Sequence, residues 1–104
     1  DGWIMLVHPP GDSALADFAK LRAYTKAEGR DPAQMGIEIW TSVGVGGPDD
    51  WRREFQFWQD SGVSHITVNN TFNRGDHHTR ITGRSLTDHI EGIKNYRAAV
   101  ADLL

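Results

Sequence analysis

The chain has 104 residues, 38% of them hydrophobic, with four tryptophans, which suits one small globular unit. A formal net charge of −3 and a pI near 5.9 argue against a nucleic-acid-binding surface, and the absence of cysteine excludes disulfides and thiolate metal sites. No apolar run approaches the roughly 18 to 20 residues of a membrane span and no signal-peptide pattern is visible, so a cytoplasmic location without membrane contact is expected.

The run Trp3 to Val7 (WIMLV) is wholly apolar and is stopped by His8-Pro9-Pro10-Gly11, which predicts a buried strand. It follows almost directly on Asp1, so further polypeptide upstream is expected. Asp12 or Ser13 is placed to cap a helix. Leu15, Phe18 (with Ala14), Leu21 and Tyr24 recur at helical spacing as its apolar face, and Gly29 stops it. Ile37 to Val43 (IEIWTSV) reads as the second strand. A glycine corner follows, GVGGPDDW, with Pro48 suited to the first helical position and Asp49 and Asp50 at the positive end of the helix dipole. Trp51, Phe55 and Trp58 mark the apolar face of this second helix, which Gly62 ends. His65 to Asn69 (HITVN) is the third strand, and Asn70 to Arg84 is a long polar segment. Ser85 opens the last helix with Asp88 three residues on, a variant of the capping box. Leu86, Ile90, Ile93, Tyr96 or Arg97, Val100 and Leu104 are its predicted buried face.

The order βαβαβα predicts an α/β fold with parallel strands joined by right-handed crossovers, either an open doubly wound sheet or part of a barrel. Three parallel strands leave both sheet edges open, and parallel sheets normally need cover on both faces. A complete (β/α)8 barrel needs about 250 residues. Further strands are therefore expected from outside this chain or from another copy of it.

In such sheets ligands gather at the carboxyl ends of the strands. Here those ends lead into three segments: His8 to Asp12, Gly44 to Asp50 and Asn69 to Arg84. The glycine corner offers backbone N–H groups to an anion. It lacks the lysine of a P-loop and the spacing of a dinucleotide turn, Pro48 removes a donor, and two aspartates already supply negative charge. A structural turn is the favoured reading, with a phosphate cradle in a small doubly wound domain as the lesser one. Within the strands, Ile37, Ile39, Thr41 and Val43 fall on one side and Glu38, Trp40 and Ser42 on the other. Ile66 and Val68 likewise oppose His65, Thr67 and Asn69. In a barrel the aliphatic side would meet the helices and the polar side would face the axis, where a pocket needs polar groups; in an open sheet the polar side would simply be wet. The segment Asn69 to Arg80 is longer than the usual connection of about 2 to 6 residues. Its Arg74, His77, His78 and Arg80 suit an anionic substrate or cofactor tail, and a neutral histidine can move protons. No carboxylate cluster accompanies the histidines, so no metal site is expected. His8 is a further candidate at the mouth, His65 and His89 read as structural, and no Ser/His/Asp triad stands out.

Four stretches in order carry a resemblance: the opening DGW-I, the segment RAYTKAEGRDPAQMGIE, PDDWRREFQFWQDSGVSHITVNNTF with its two tryptophans separated by six residues on one helix, and the ending GRSLTDHIEGIKNYRAAVADL. Together they resemble the carboxyl-terminal portion of the bacterial luciferase-like monooxygenase family. The resemblance spans essentially the whole chain. It implies the last three units of a TIM-type (β/α)8 barrel that uses flavin mononucleotide (FMN) with oxygen, or a deazaflavin in hydride transfer. It also implies that the cofactor-phosphate turn and the amino-terminal strands precede Asp1. The strand ends at Ser42 and Asn69 and the segment from Asn70 would then line the substrate side of the barrel mouth, with Arg74, His77, His78 and Arg80 contacting a small-molecule substrate or the cofactor tail. The competing expectation is a non-catalytic α/β module that assembles with further copies through its open strand edges.

Overall fold

Short apolar segments pair side by side in chain order. The computed structural model describes residues 1–6, 8–71, 73 and 79–104. Its strands β1 (Gly2–Met5), β2 (Gly36–Thr41) and β3 (His65–Val68) form one parallel sheet in the order β1-β2-β3. Helices α1 (Asp12–Ala27), α2 (Pro48–Asp60) and α3 (Leu86–Val100) follow one strand each, and single 3-10 turns lie at Pro32–Gln34 and Ala101–Leu103. The α/β class, the parallel pairing and the βαβαβα order are those the sequence predicts. β2 and β3 stop short of the predicted Val43 and Asn69. Val43 gives its N–H to the Asn70 side chain (3.1 Å) rather than to a neighbouring strand, and Asn69 makes the last bond along β3, to the Thr41 carbonyl (2.8 Å). The first strand is described to Met5, and its predicted last residue, Val7, lies outside the described residues.

Alternation of side chains across the pleat divides the sheet into two unlike faces. On one, Met5, Ile37 and Ile39 meet Ala14 and Phe18 of α1 and Trp58 of α2 in a single buried cluster. Phe18 and Trp58 are fully buried with ring centroids 6.1 Å apart, and Trp3 meets Phe18 edge-on at 6.2 Å. A second cluster joins Phe55 of α2 to Tyr96 and Val100 of α3, with Ile66 and Val68 of β3 against it. Since Ile39 pairs with Ile66 and Thr41 with Val68, both clusters lie on the same face. All three helices therefore cover one side. Right-handed crossovers between strands taken in chain order put every connection on that side, whereas a doubly wound sheet reverses direction to cover both. The other face carries Ile4, Leu6, Glu38, Trp40, His65 and Thr67, and no described helix lies over it.

The helices are phased by what they touch, and two of the predicted faces are corrected. The N-cap of α1 is Gly11, without a side-chain cap; Asp12 and Ser13 lie in the first turn instead. Its buried stripe is Ala14, Phe18, Leu21 and Thr25, while Leu15 is 41% and Tyr24 70% exposed. Thr25 is tolerated in this stripe because its hydroxyl donates to the Leu21 carbonyl one turn back (2.8 Å). On α2, Phe55 and Trp58 are buried as predicted. On α3 the capping box forms as read from the sequence. Ser85 Oγ accepts from the Asp88 N–H (3.1 Å) and Asp88 Oδ2 accepts from the Ser85 N–H (2.9 Å), and these bonds to Ser85 hold the Asp88 carboxyl below its ordinary pKa. Of the predicted α3 face only Tyr96 and Val100 are buried; Leu86, Ile90, Ile93 and Leu104 are exposed. The helix docks through an adjacent strip, where Gly92 backs onto Val43 and Asn70. Arg52 of α2 fastens its far end by donating to the Ala99 carbonyl and to both carboxylate oxygens of Asp102, and this hydrogen-bonded pairing pulls the Asp102 pKa down to about 2.

This phasing makes a direct prediction about α1. Phe18→Ala should cost about 3–5 kcal/mol of unfolding free energy, as for a buried aromatic truncated in a packed core. Tyr24→Ala, on the exposed side, should change it by less than about 0.5 kcal/mol. Urea titrations followed by far-UV circular dichroism measure both; equal losses would contradict the packing.

Candidate functional site

The carboxyl tips of β2 and β3 are bound together by a returning segment. Ser42 Oγ donates to the Thr79 carbonyl and accepts from the Gly44 N–H (2.9 Å). The Asn70 carbonyl accepts from the Ile81 N–H (3.4 Å), while Asn70 Oδ1 holds the Val43 N–H. Residues 79–81 thus cross directly over the tips. Gly44 lies under the crossing: a Cβ added there would stand 1.9 Å from the Thr79 oxygen. Ser42 and Asn70 are buried at 2% and 5% exposure and serve this crossing. The Asn70 Nδ2 group is buried without a hydrogen-bond partner among the described residues and lies toward Gly92. Asn69 Oδ1 accepts from both the N–H (3.0 Å) and the hydroxyl (2.8 Å) of Thr71, an Asx turn that fixes the departing chain. Arg80 is half-buried, gives its backbone N–H to Asn73 Oδ1 (2.8 Å), and lines with Arg84 a shallow hollow of about 260 Å³. Four of the seven residues expected at the mouth, Ser42, Asn69, Asn70 and Arg80, are therefore gathered at the strand tips. Arg74, His77 and His78 lie outside the described residues.

The glycine corner is closed from within. Gly46 has φ 67°, and a Cβ on it would come within 2.5 Å of Asp50 Oδ2. That same oxygen accepts the Gly47 N–H (2.9 Å), and the other Asp50 oxygen is paired with Arg53. The Trp51 indole N–H donates back to the Val45 carbonyl (3.0 Å). A carboxylate of the chain itself stands where a phosphate would have to sit, so the corner works as a strand-to-helix turn. His8 is turned toward α1: Nδ1 is 2.7 Å from the Pro9 carbonyl and Nε2 is 3.8 Å from Asp17. His65 sits at the start of β3, at the opposite end from the tips, and His89 lies on α3.

The uncovered face is ordered in rows across the strands. Ile4, Glu38 and His65 stand side by side, and Trp40 and Thr67 occupy the next row toward the tips, where the Trp40 N–H donates to the Leu6 carbonyl (3.1 Å). Glu38 Oε1 accepts two hydrogen bonds, from the Trp40 indole N–H (3.1 Å) and from the Thr67 hydroxyl (2.8 Å). The carboxylate is thereby fixed in the plane of the face. No protein-family model matches the chain, and no curated protein or solved structure matches it. Glu38, Trp40 and Thr67 were not among the predicted site residues. Their signal in the sequence was the alternation of IEIWTSV against HITVN, which puts them on one face but does not show that a carboxylate links them.

Among the described residues no three histidine, aspartate or glutamate side chains are grouped as metal ligands, and no helix is long and apolar enough to cross a membrane. Tyr96 is buried with its hydroxyl unpartnered among the described residues; burial, and secondarily the charge of Glu54, raise its pKa, so it stays neutral.

The crossing over the tips can be tested at Gly44. Gly44→Ala should force residues 79–81 away, lowering stability by about 1–3 kcal/mol and speeding hydrogen exchange at the Ile81 amide. Gly47→Ser, which meets open space and adds a capping oxygen, should be neutral or stabilising. Unchanged Ile81 exchange in Gly44→Ala would contradict the arrangement.

Proposed function

We propose that this chain is the carboxyl-terminal part of a luciferase-like (β/α)8 barrel, an FMN- or deazaflavin-dependent oxidoreductase or monooxygenase, and that it contributes mouth segments to the substrate and cofactor pocket. The observation that carries this reading is the one-sided sheet: three parallel strands in chain order, every helix on one face, and an opposite face with a linked carboxylate, indole and hydroxyl. That is the disposition of a barrel wall, helices outward and ligand-facing groups inward. The ordered sequence likeness to the family supports the same reading. Ser42, Asn69, Asn70 and Arg80 are gathered at the strand tips, the side where barrel ligands bind, and on this reading Arg74, His77 and His78 would join them in contacting substrate or the cofactor tail.

The described residues suit the ring part of a flavin better than its phosphate. Ile4 and Leu6 are half-exposed apolar surface beside a fixed indole, whereas the glycine corner is filled by Asp50. The cofactor, when bound, would supply the hydride or oxygen chemistry; this chain would position it, bind substrate at the mouth and help exclude water. A second reading, a non-catalytic module that pairs with further copies, is favoured by the exposed Leu86, Ile90 and Ile93 row on α3 and by the outer edges of β1 and β3, which no strand among the described residues pairs with.

One comparison separates the two. The chain extended by its preceding βα units should bind reduced FMN or reduced deazaflavin saturably by fluorescence titration. Failure to bind either, together with self-association of the 104-residue chain in sedimentation, would favour the second reading and overturn the first.

A further inference from the structure

The segment that crosses the strand tips is the positive part of an acidic chain. From Asn69 to Arg84 the sequence has three arginines (Arg74, Arg80 and Arg84) and one aspartate (Asp76), a net +2 with histidine neutral, in a chain whose net charge is −3. At and just after the crossing, Asn73, Thr79, Arg80, Ile81, Thr82 and Arg84 line the hollow of about 260 Å³. None of these lining residues is acidic. The hollow lies on the carboxyl side of the sheet, because Thr79 and Ile81 are bonded to Ser42 and Asn70 at the tips of β2 and β3.

We infer that this hollow is the subsite for an oxyanion, a carboxylate or phosphate group carried by the substrate, with the Arg80 and Arg84 guanidinium groups as its donors. Arg30, Arg52 and Arg53 each hold an aspartate, whereas among the described residues no carboxylate is paired with Arg80 or Arg84. Arg80 is half-buried, and a cation drawn out of water without a counter-ion is costly; an arriving oxyanion supplies one. The acid that follows in sequence, Asp88, is committed to the cap of α3, where it accepts from the Ser85 N–H (2.9 Å) and hydroxyl (2.6 Å). The backbone that carries the arginines is anchored. Arg80 gives its N–H to Asn73 Oδ1 (2.8 Å), and its neighbours on both sides are bonded to the tips. An anion therefore meets donors whose backbone is already in place, which lowers the cost of binding. Guanidinium forks accept an oxyanion bidentately, and Thr79 and Thr82 add hydroxyl groups to the lining. The glycine corner, the other anion candidate, is instead filled by Asp50. The assignment to substrate rests on the barrel reading, which places ligands at the strand tips; the preference for an oxyanion rests on the lining residues alone.

Inorganic phosphate is the probe, with sodium chloride at matched ionic strength as its control. In two-dimensional ¹H–¹⁵N spectra of the 104-residue chain, phosphate should shift the Arg80, Thr82 and Arg84 amides saturably, and chloride should not. Arg84→Gln, at an exposed position, should weaken phosphate about tenfold, as for the loss of a charge-assisted hydrogen bond. Lys94→Gln removes the same charge from the exposed side of α3 and should leave the affinity unchanged. No saturable shift at these amides, equal shifts with chloride, or equal weakening in the two variants would each overturn the subsite. The phosphate against chloride comparison needs no variant, so it stands even where a variant misfolds. In the longer protein with its reduced flavin or deazaflavin bound, phosphate should still bind at these amides; its exclusion by the cofactor would overturn the assignment to substrate. Failure of the longer protein to bind either cofactor would remove the barrel reading and leave the phosphate result on the 104-residue chain standing.

Discussion

The structure depends on one constraint: three parallel strands laid down in chain order with every return crossing on the same side. A right-twisted strand feeding a right-handed crossover can satisfy that order only by stacking the helices on a single face. The aliphatic half of each strand, with Met5, Ile37, Ile39, Ile66 and Val68, is then claimed by Phe18, Trp58, Phe55 and Val100. The other half keeps Glu38, Trp40 and Thr67, and these satisfy one another by hydrogen bonds across the strands. Core and candidate ligand surface are thus two consequences of the same alternation.

The tips show how the chain turns that sheet into a platform. The Ser42 hydroxyl and the Asn70 backbone carbonyl hold residues 79–81 across the strand ends, the Asn70 side chain ties Val43 beneath them, and the crossing is close enough that only glycine fits at position 44. On the proposed reading they would act on a ligand through the segment they position, and direct contacts would fall to groups beyond this clasp. The rows below it provide a second set of polar groups, further from the mouth, and Glu38 is the charged member of that set.

Much of this was legible in the sequence, and the reasons for the rest are specific. The strands, the glycine corner as a turn, the Ser85–Asp88 box and the division of strand faces follow from local chemistry: alternation, capping and dipole charge. The helix faces were less secure, because several apolar stripes were possible. Leu15 and Tyr24 share the helical spacing of Phe18, but the contact with Trp58 and Ile39 selects the stripe that contains Ala14 and Thr25. On α3, Leu86, Ile90 and Ile93 form the stronger apolar row on paper, yet the helix docks through Gly92, Tyr96 and Val100, with Gly92 lying close against Val43 and Asn70. The Glu38 linkage was hidden for a different reason. It joins residues 29 positions apart, and pairing register, which sets it, is a property of the assembled sheet.

The central claim is the inequality of the two faces, and the absence of cysteine from the chain makes it directly measurable. Ile4 and Met5 are consecutive on β1 but lie on opposite sides, 51% and 6% exposed. Single-cysteine variants Ile4→Cys and Met5→Cys, reacted with a small thiol reagent under native conditions, should differ at least tenfold in rate, with position 4 the faster. Equal rates, or faster reaction at position 5, would contradict a sheet covered by helices on one face alone.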